Sequence, residues 1–185
     1  VDLRREIGEV SRTSQTIPEA QVLAQFATMG ISGDWPRKFA CTAVDATSGE
    51  FKVWRESDGV DLTRAVASSC SVPGIYPPVT INDRVWMDGG MRSGTNVDVA
   101  AGHARVLAVV VIPMALANER MKARVNAESA AVTMAGGRFD MIAPDAETQE
   151  AFGPNLMDGS RRIQLIEQGM RQGKAEAARV KAFWK

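Results

Sequence analysis

The apolar positions of this chain change their spacing at about Arg37. From Val1 to about Phe26 charged residues mix with Ala, Gln and Glu, which predicts helix, and Ile17-Pro18-Glu19-Ala20 reads as a helix start with Pro just inside it. Gly30, Gly33 and Pro36 then break the pattern. The apolar run from Phe39 to Val44 suits a buried strand, and Phe51 to Trp54 alternates apolar with polar as a half-buried strand does. With the Ser48-Gly49 turn between them, the two predict a hairpin. Asp61 to Cys70 predicts a helix of small residues, for which Asp58 and Asp61 are N-cap candidates. Pro73, Gly74, Pro77 and Pro78 end it. Val79 to Ile81 and Val85 to Met87 flank Asn82-Asp83-Arg84 as a second hairpin, which leads into Asp88-Gly89-Gly90.

The Val/Leu/Ile run from Arg105 to Ile112, ended by Pro113, predicts a strand covered on both faces. A helix is expected from about Asn118 to Ala135, closed by Gly136-Gly137, and a short strand over Phe139 to Ile142. Strand, helix and strand in this order predict a parallel crossover and an α/β fold. After Ser160, Ile163, Ile166, Met170, Gly173, Ala177, Val180 and Trp184 trace one stripe along a final helix. That stripe is expected to pack inward, with a close helix-to-sheet contact at Gly173 offsetting its poor helix propensity. The domain organisation expected is a helical segment and loop over 1–36, belonging to the same domain as 37–185.

Composition narrows the function classes. Of 185 residues 45% are apolar and 24% charged, ordinary for a globular protein. The 22 Lys and Arg balance 22 Asp and Glu and are scattered, so there is no electrostatic case for nucleic acid. The run Val106 to Ile112 is too short to span a bilayer, and Val1-Asp2-Leu3-Arg4-Arg5-Glu6 is no secretory signal. Cys41 and Cys70 make neither a disulfide framework nor a metal motif, so they read as reduced thiols of a cytoplasmic protein. With no initiator Met, the chain is expected to begin inside a larger protein.

Few residues offer chemistry. The single histidine, His103, is the only imidazole available to a Ser-His-Asp triad, and it equally suits a surface position. One His without a Cys pair argues against zinc, and no G-x-x-x-x-G-K-[ST] or G-x-G-x-x-G cradles a phosphate. Asp88 ends a strand beside two glycines, where a carboxylate is placed to act as a general base or simply to make a turn.

The segment from Ala67 to Val79, followed by Met87-Asp88-Gly89-Gly90-Met91-Arg92-Ser93-Gly94-Thr95-Asn96, resembles the patatin-like phospholipase family. Pro144-Asp145, Phe152 to Asp158 and the final Ala-rich helix resemble the tail of bacterial, actinobacterial-type members, so the likeness runs from about Phe39 to Trp184. This resemblance implies a three-layer α/β sandwich with a central, mostly parallel sheet, of which the chain is the C-terminal part. It implies a Ser-Asp dyad acting on phospholipid or other acyl esters, with transient membrane-surface contact and no cofactor. Asp88 is then the catalytic base, supported by Gly89, Gly90, Arg92 and Asn96.

The serine of G-x-S-x-G and a Gly-rich oxyanion loop are absent from this sequence. The N-terminal strands and nucleophile elbow are therefore expected upstream, on the same chain or on a separate one. Ser68, Ser69 and Ser71 sit on the small-residue helix or at its end and read as packing or local backbone partners. Trp54, Tyr76, Trp86 and Phe152 are candidates for an acyl pocket or for core. The alternatives are a catalytically inactive homologue or regulatory subunit, and a triad hydrolase using His103.

Overall fold

The computed structural model describes residues 2–111, 119–155 and 158–185. Backbone contacts divide the chain into two compact units, Val1–Asn96 and Val97–Lys185.

The first unit opens with two helices where the sequence suggested one helical stretch, α1 (Asp2–Thr13) and α2 (Glu19–Thr28). The Ser14 and Thr13 hydroxyls turn back onto the Val10 and Glu9 carbonyls, satisfying the end of α1. Pro18 lies at the N-cap of α2, one position outside the helix. Strands β1 (Ala40–Asp45) and β2 (Phe51–Arg55) form the expected hairpin, and α3 (Leu62–Ser69) follows. Asp61 caps α3 by accepting the Arg64 N–H at 3.0 Å. Asp58, the other candidate, instead accepts the Arg55 N–H at 2.8 Å and closes the end of β2.

Strands β3 (Val79–Ile81) and β4 (Arg84–Asp88) form the second hairpin. Its two turn residues, Asn82 and Asp83, have φ of 51° and 59°, the left-handed pair that suits the twist of a two-residue hairpin. The sheet order is β2-β1-β4-β3, and every pairing in it is antiparallel. The expectation of a mostly parallel central sheet fails for these four strands. Two of the three pairings are hairpins whose short turns reverse the chain, which leaves no room for a crossover.

Alternation along the strands sends side chains to both faces of this sheet. Ala43, Trp54, Val79, Ile81 and Trp86 pack with Val22 of α2 and with Ala65 and Ala67 of α3. Val44, Ala46 and Met87 form a separate cluster with Ile7 of α1. Helices therefore cover both faces of this unit's sheet. Trp54 and Trp86 meet edge to face at 4.9 Å, a geometry worth about 0.5–1.5 kcal/mol beyond area burial.

The second unit holds β5 (Arg105–Val109), α4 (Glu119–Met134), β6 (Arg138–Ile142), α5 (Ala146–Phe152) and α6 (Arg162–Trp184). β5 and β6 pair in parallel from Arg105↔Arg138 to Val109↔Ile142, the predicted crossover. Ile112, Pro113 and Asn118, at the predicted ends of β5 and α4, lie outside the described residues.

Two expectations are overturned here. β5 is only partly covered on its second face: Val106 packs with Val97 and Val132 on the first, while on the second Leu107 is half-buried and Val109 is 68% exposed. The α6 stripe does not pack inward, since Ile163, Ile166 and Met170 are 72%, 55% and 59% exposed. An added Cβ at Gly173 would meet nothing within 4 Å, so no sheet approaches it. α6 instead turns Gln172 and Phe183 inward, with Gln172 donating to the Ala143 carbonyl at 2.7 Å and Arg138 lying over the Phe183 ring. Polar anchors have fixed the roll of this helix against the sequence periodicity. No helix among the described residues is long and apolar enough to cross a membrane.

Candidate functional site

Asp88 is the last residue of β4, paired across the ladder with Ala43 of β1. Its N–H donates to the Ser71 carbonyl at 3.0 Å, which ties the strand end to the chain leaving α3. Its side chain turns back as the cap of a short 3-10 turn, Gly89–Met91, with Oδ1 accepting the Gly90 N–H at 2.6 Å. Among the described residues Oδ2 accepts no hydrogen bond and no cation pairs with the carboxylate. Burial raises the Asp88 carboxyl above the ordinary carboxylate range, and the Gly90 N–H opposes that only in part.

Gly89 and Gly90 are needed for close approach, and neither has a positive φ. A Cβ on Gly89 would lie 2.1 Å from the Thr42 hydroxyl and 2.5 Å from the Thr42 carbonyl oxygen. On Gly90 it would lie 2.8 Å from Asp88 Oδ1. The first glycine lets the turn lie on β1, and the second leaves space for the carboxylate.

Asn96 closes the loop. At φ 49° its side chain donates to the Gly89 carbonyl at 3.1 Å and to the Ser93 carbonyl at 2.8 Å. Its Oδ1 accepts from Arg92 Nη1 at 3.0 Å, and the Arg92 guanidinium lies 4.2 Å from the centre of the Phe51 ring. The structure thus brings Asp88, Gly89, Gly90, Arg92 and Asn96 into one loop of the first unit. Two members were missed in the sequence. Thr42 touches Gly89 through strand register, which no local pattern reveals, and buried Ser93 accepts the N–H groups of Thr95 and Asn96. Ser93-x-x-Asn96 is a local hydroxyl turn that the sequence does carry.

The family model for patatin-like phospholipases matches residues 3–101, just over half of the 185 residues. The chain belongs to that family. No curated protein matches it. Membership gives the patatin-like chain a lipid hydrolase context, and the matched span contains the whole Asp88 loop.

The remaining candidates of this patatin-like chain fall elsewhere. Ser68 and Ser71 are fully buried and donate their hydroxyls to the Ala65 and Ala67 carbonyls at 2.7 and 2.8 Å. Trp54 and Trp86 are core, and Tyr76 packs against that core. Phe152 closes α5 and the exposed His103 precedes β5, both in the second unit. Among the described residues no group of three His, Cys, Asp or Glu is arranged to hold a metal ion. Cys70 follows α3 at an exposed position, yet the chain packed around its thiol desolvates it and, with the Asp88 charge, pushes it up. The Cys41 thiol is pushed up to about 12 by burial and by Cys70. Protonated thiols are poor nucleophiles.

Proposed function

We propose that the natural polypeptide containing these residues hydrolyses acyl esters of phospholipids or related lipids through a Ser-Asp dyad. Asp88 is its general base, and the serine lies upstream of Val1. The observation that carries the reading is the Asp88 carboxylate itself. It is part-buried and, among the described residues, unpaired by any cation, with one oxygen fixed by Gly90 and the other open to take a proton.

The chemistry follows from that arrangement. The serine hydroxyl gives its proton to Asp88 as its oxygen attacks the ester carbonyl, forming a tetrahedral oxyanion. Backbone amides upstream would stabilise that charge. Collapse expels the alcohol, which leaves with the proton from Asp88. Water, deprotonated by Asp88, then attacks the acyl-enzyme, and the serine oxygen leaves with that proton from Asp88, which restores both groups. An unperturbed aspartate is a weak base for these steps, and the raised pKa of a buried one brings it closer to the working pH.

Fluorophosphonate labelling of the natural polypeptide, read by intact mass and peptide mapping, tests the serine. An adduct upstream of Val1 is expected, and an adduct on any serine of these 185 residues would overturn the placement. Asp88→Asn is expected to cut ester hydrolysis by about 100-fold or more while leaving the fold intact by circular dichroism. Retention of near-normal turnover would overturn the dyad assignment, and absence of turnover in the parent polypeptide would favour the inactive or regulatory homologue.

A further inference from the structure

Helix α6 neutralises the cations on its inner side and leaves those on its outer side unpaired. Arg171 pairs with Asp145, and Arg179 pairs with Asp140 and with Glu176 of its own helix. Gln172 and Phe183, on the same side, are buried. The opposite side carries Ile163, Ile166 and Met170, all more than half exposed, and ends on Trp184, which is 51% exposed. Cations rim this stripe at the three- and four-residue steps that make neighbours on a helix. Arg162 lies four residues before Ile166, Lys174 four after Met170 and Lys181 three before Trp184, and each is exposed. Among the described residues none of these three makes an ion pair. Glu167 is the one carboxylate of α6 on this side.

A helix packed on a protein normally turns its apolar stripe to the core. Here the stripe from Ile163 to Trp184 runs ~32 Å along the outside, at about 1.5 Å per residue. Its apolar side chains gain by leaving water, whereas the unpaired cations beside them lose by it unless negative charge replaces their hydration. A second copy would cover the stripe but set the cations of both copies against each other. A neutral apolar segment would leave them unanswered. An anionic lipid surface meets both needs. Acyl chains take Ile163, Ile166 and Met170, phosphate headgroups take Arg162, Lys174 and Lys181, and the Trp184 indole suits the boundary between them. α6 is not long and apolar enough to cross a membrane, so it would lie in the plane of the interface. It also stands outside residues 3–101, so the family match does not assign this face.

We propose that the outer face of α6 is a docking surface for bilayers rich in anionic phospholipid. The face needs neither Asp88 nor the serine, and the inference therefore goes beyond the dyad reading.

Cosedimentation of the natural polypeptide with phosphatidylglycerol and with phosphatidylcholine vesicles tests it, with tryptophan emission read alongside. Binding to phosphatidylglycerol is expected to be weakened by salt and about tenfold or more stronger than to phosphatidylcholine. A blue shift that Trp184→Phe reduces should accompany it. The double variant Ile166→Ser, Met170→Ser should abolish binding, and Lys174→Gln, Lys181→Gln should weaken it about tenfold or more. All four side chains are exposed, so both variants should keep the circular dichroism of the parent. No binding to phosphatidylglycerol overturns the proposal, and a dimer that the serine variant breaks would then assign the face to a second copy. Binding that both double variants retain overturns it as well, as does equal affinity for the two lipids. Hydrolysis of p-nitrophenyl butyrate reads the dyad separately. Cleavage without vesicle binding sinks this proposal and spares the dyad, while vesicle binding without cleavage does the reverse.

Discussion

Gly89 and Gly90 stand side by side and restrain different things. The Cβ of Gly89→Ala would press on Thr42 backbone, which cannot yield without moving β1. A loss of about 1–3 kcal/mol of stability is expected, seen as a lower urea midpoint. The Cβ of Gly90→Ala would meet only the Asp88 carboxylate, which can swing away. That variant should keep its midpoint and lose ester hydrolysis. Equal midpoints for both would mean that Gly89 is not a contact residue. Asp88 itself carries a stability signature. Its pKa is raised in the folded state, so the folded chain holds the proton longer and stability falls as pH climbs from the unfolded value near 3.9 through the folded one. At neutral pH the ionised carboxylate opposes folding. Asp88→Asn is therefore expected to raise the thermal midpoint at pH 7 and to change it little below both pKa values. A lower midpoint at pH 7 would mean that the carboxylate is a structural anchor.

At the level of elements, the parts read correctly are those whose causes are local. Asn82-Asp83 and the Asp45 to Gly49 turn specify their hairpins through chemistry within a few residues. In the latter, the Asp45 carboxylate accepts the Thr47 and Ser48 N–H groups at 2.8 and 2.7 Å and pairs with Arg84 at 2.6 Å. Burial pushes the Asp45 carboxyl up, but the Ser48 and Thr47 amides and Arg84 together hold it below the usual range. That stabilisation is present above the unfolded value near 3.9 and is lost as pH falls through the folded one. Asp45→Ala should cost about 1–3 kcal/mol at pH 7, with the gap to the parent chain closing in acid. Elements that depend on distant partners were misread. The periodicity of α6 shows which residues share a face, while anchors such as Arg171, Gln172, Arg179 and Phe183 decide which face turns inward. Asp88 was legible because its glycines follow it directly, whereas Thr42 meets Gly89 only once β1 and β4 are in register.

For the whole molecule, the family match at residues 3–101 covers nearly all of the first unit and little of the second. The first unit buries both faces of its sheet, while the second leaves Val109, Val111 and the α6 stripe in water. Exposed apolar strand edges promote association, so a chain of these 185 residues alone should gather into oligomers as its concentration rises. Replacing two of the exposed residues in the double variant Val109→Lys, Met170→Lys tests whether these positions drive that association. Both lysines stay hydrated at exposed sites, so light scattering should fall with no loss of thermal midpoint. Unchanged scattering would mean that association runs through another surface.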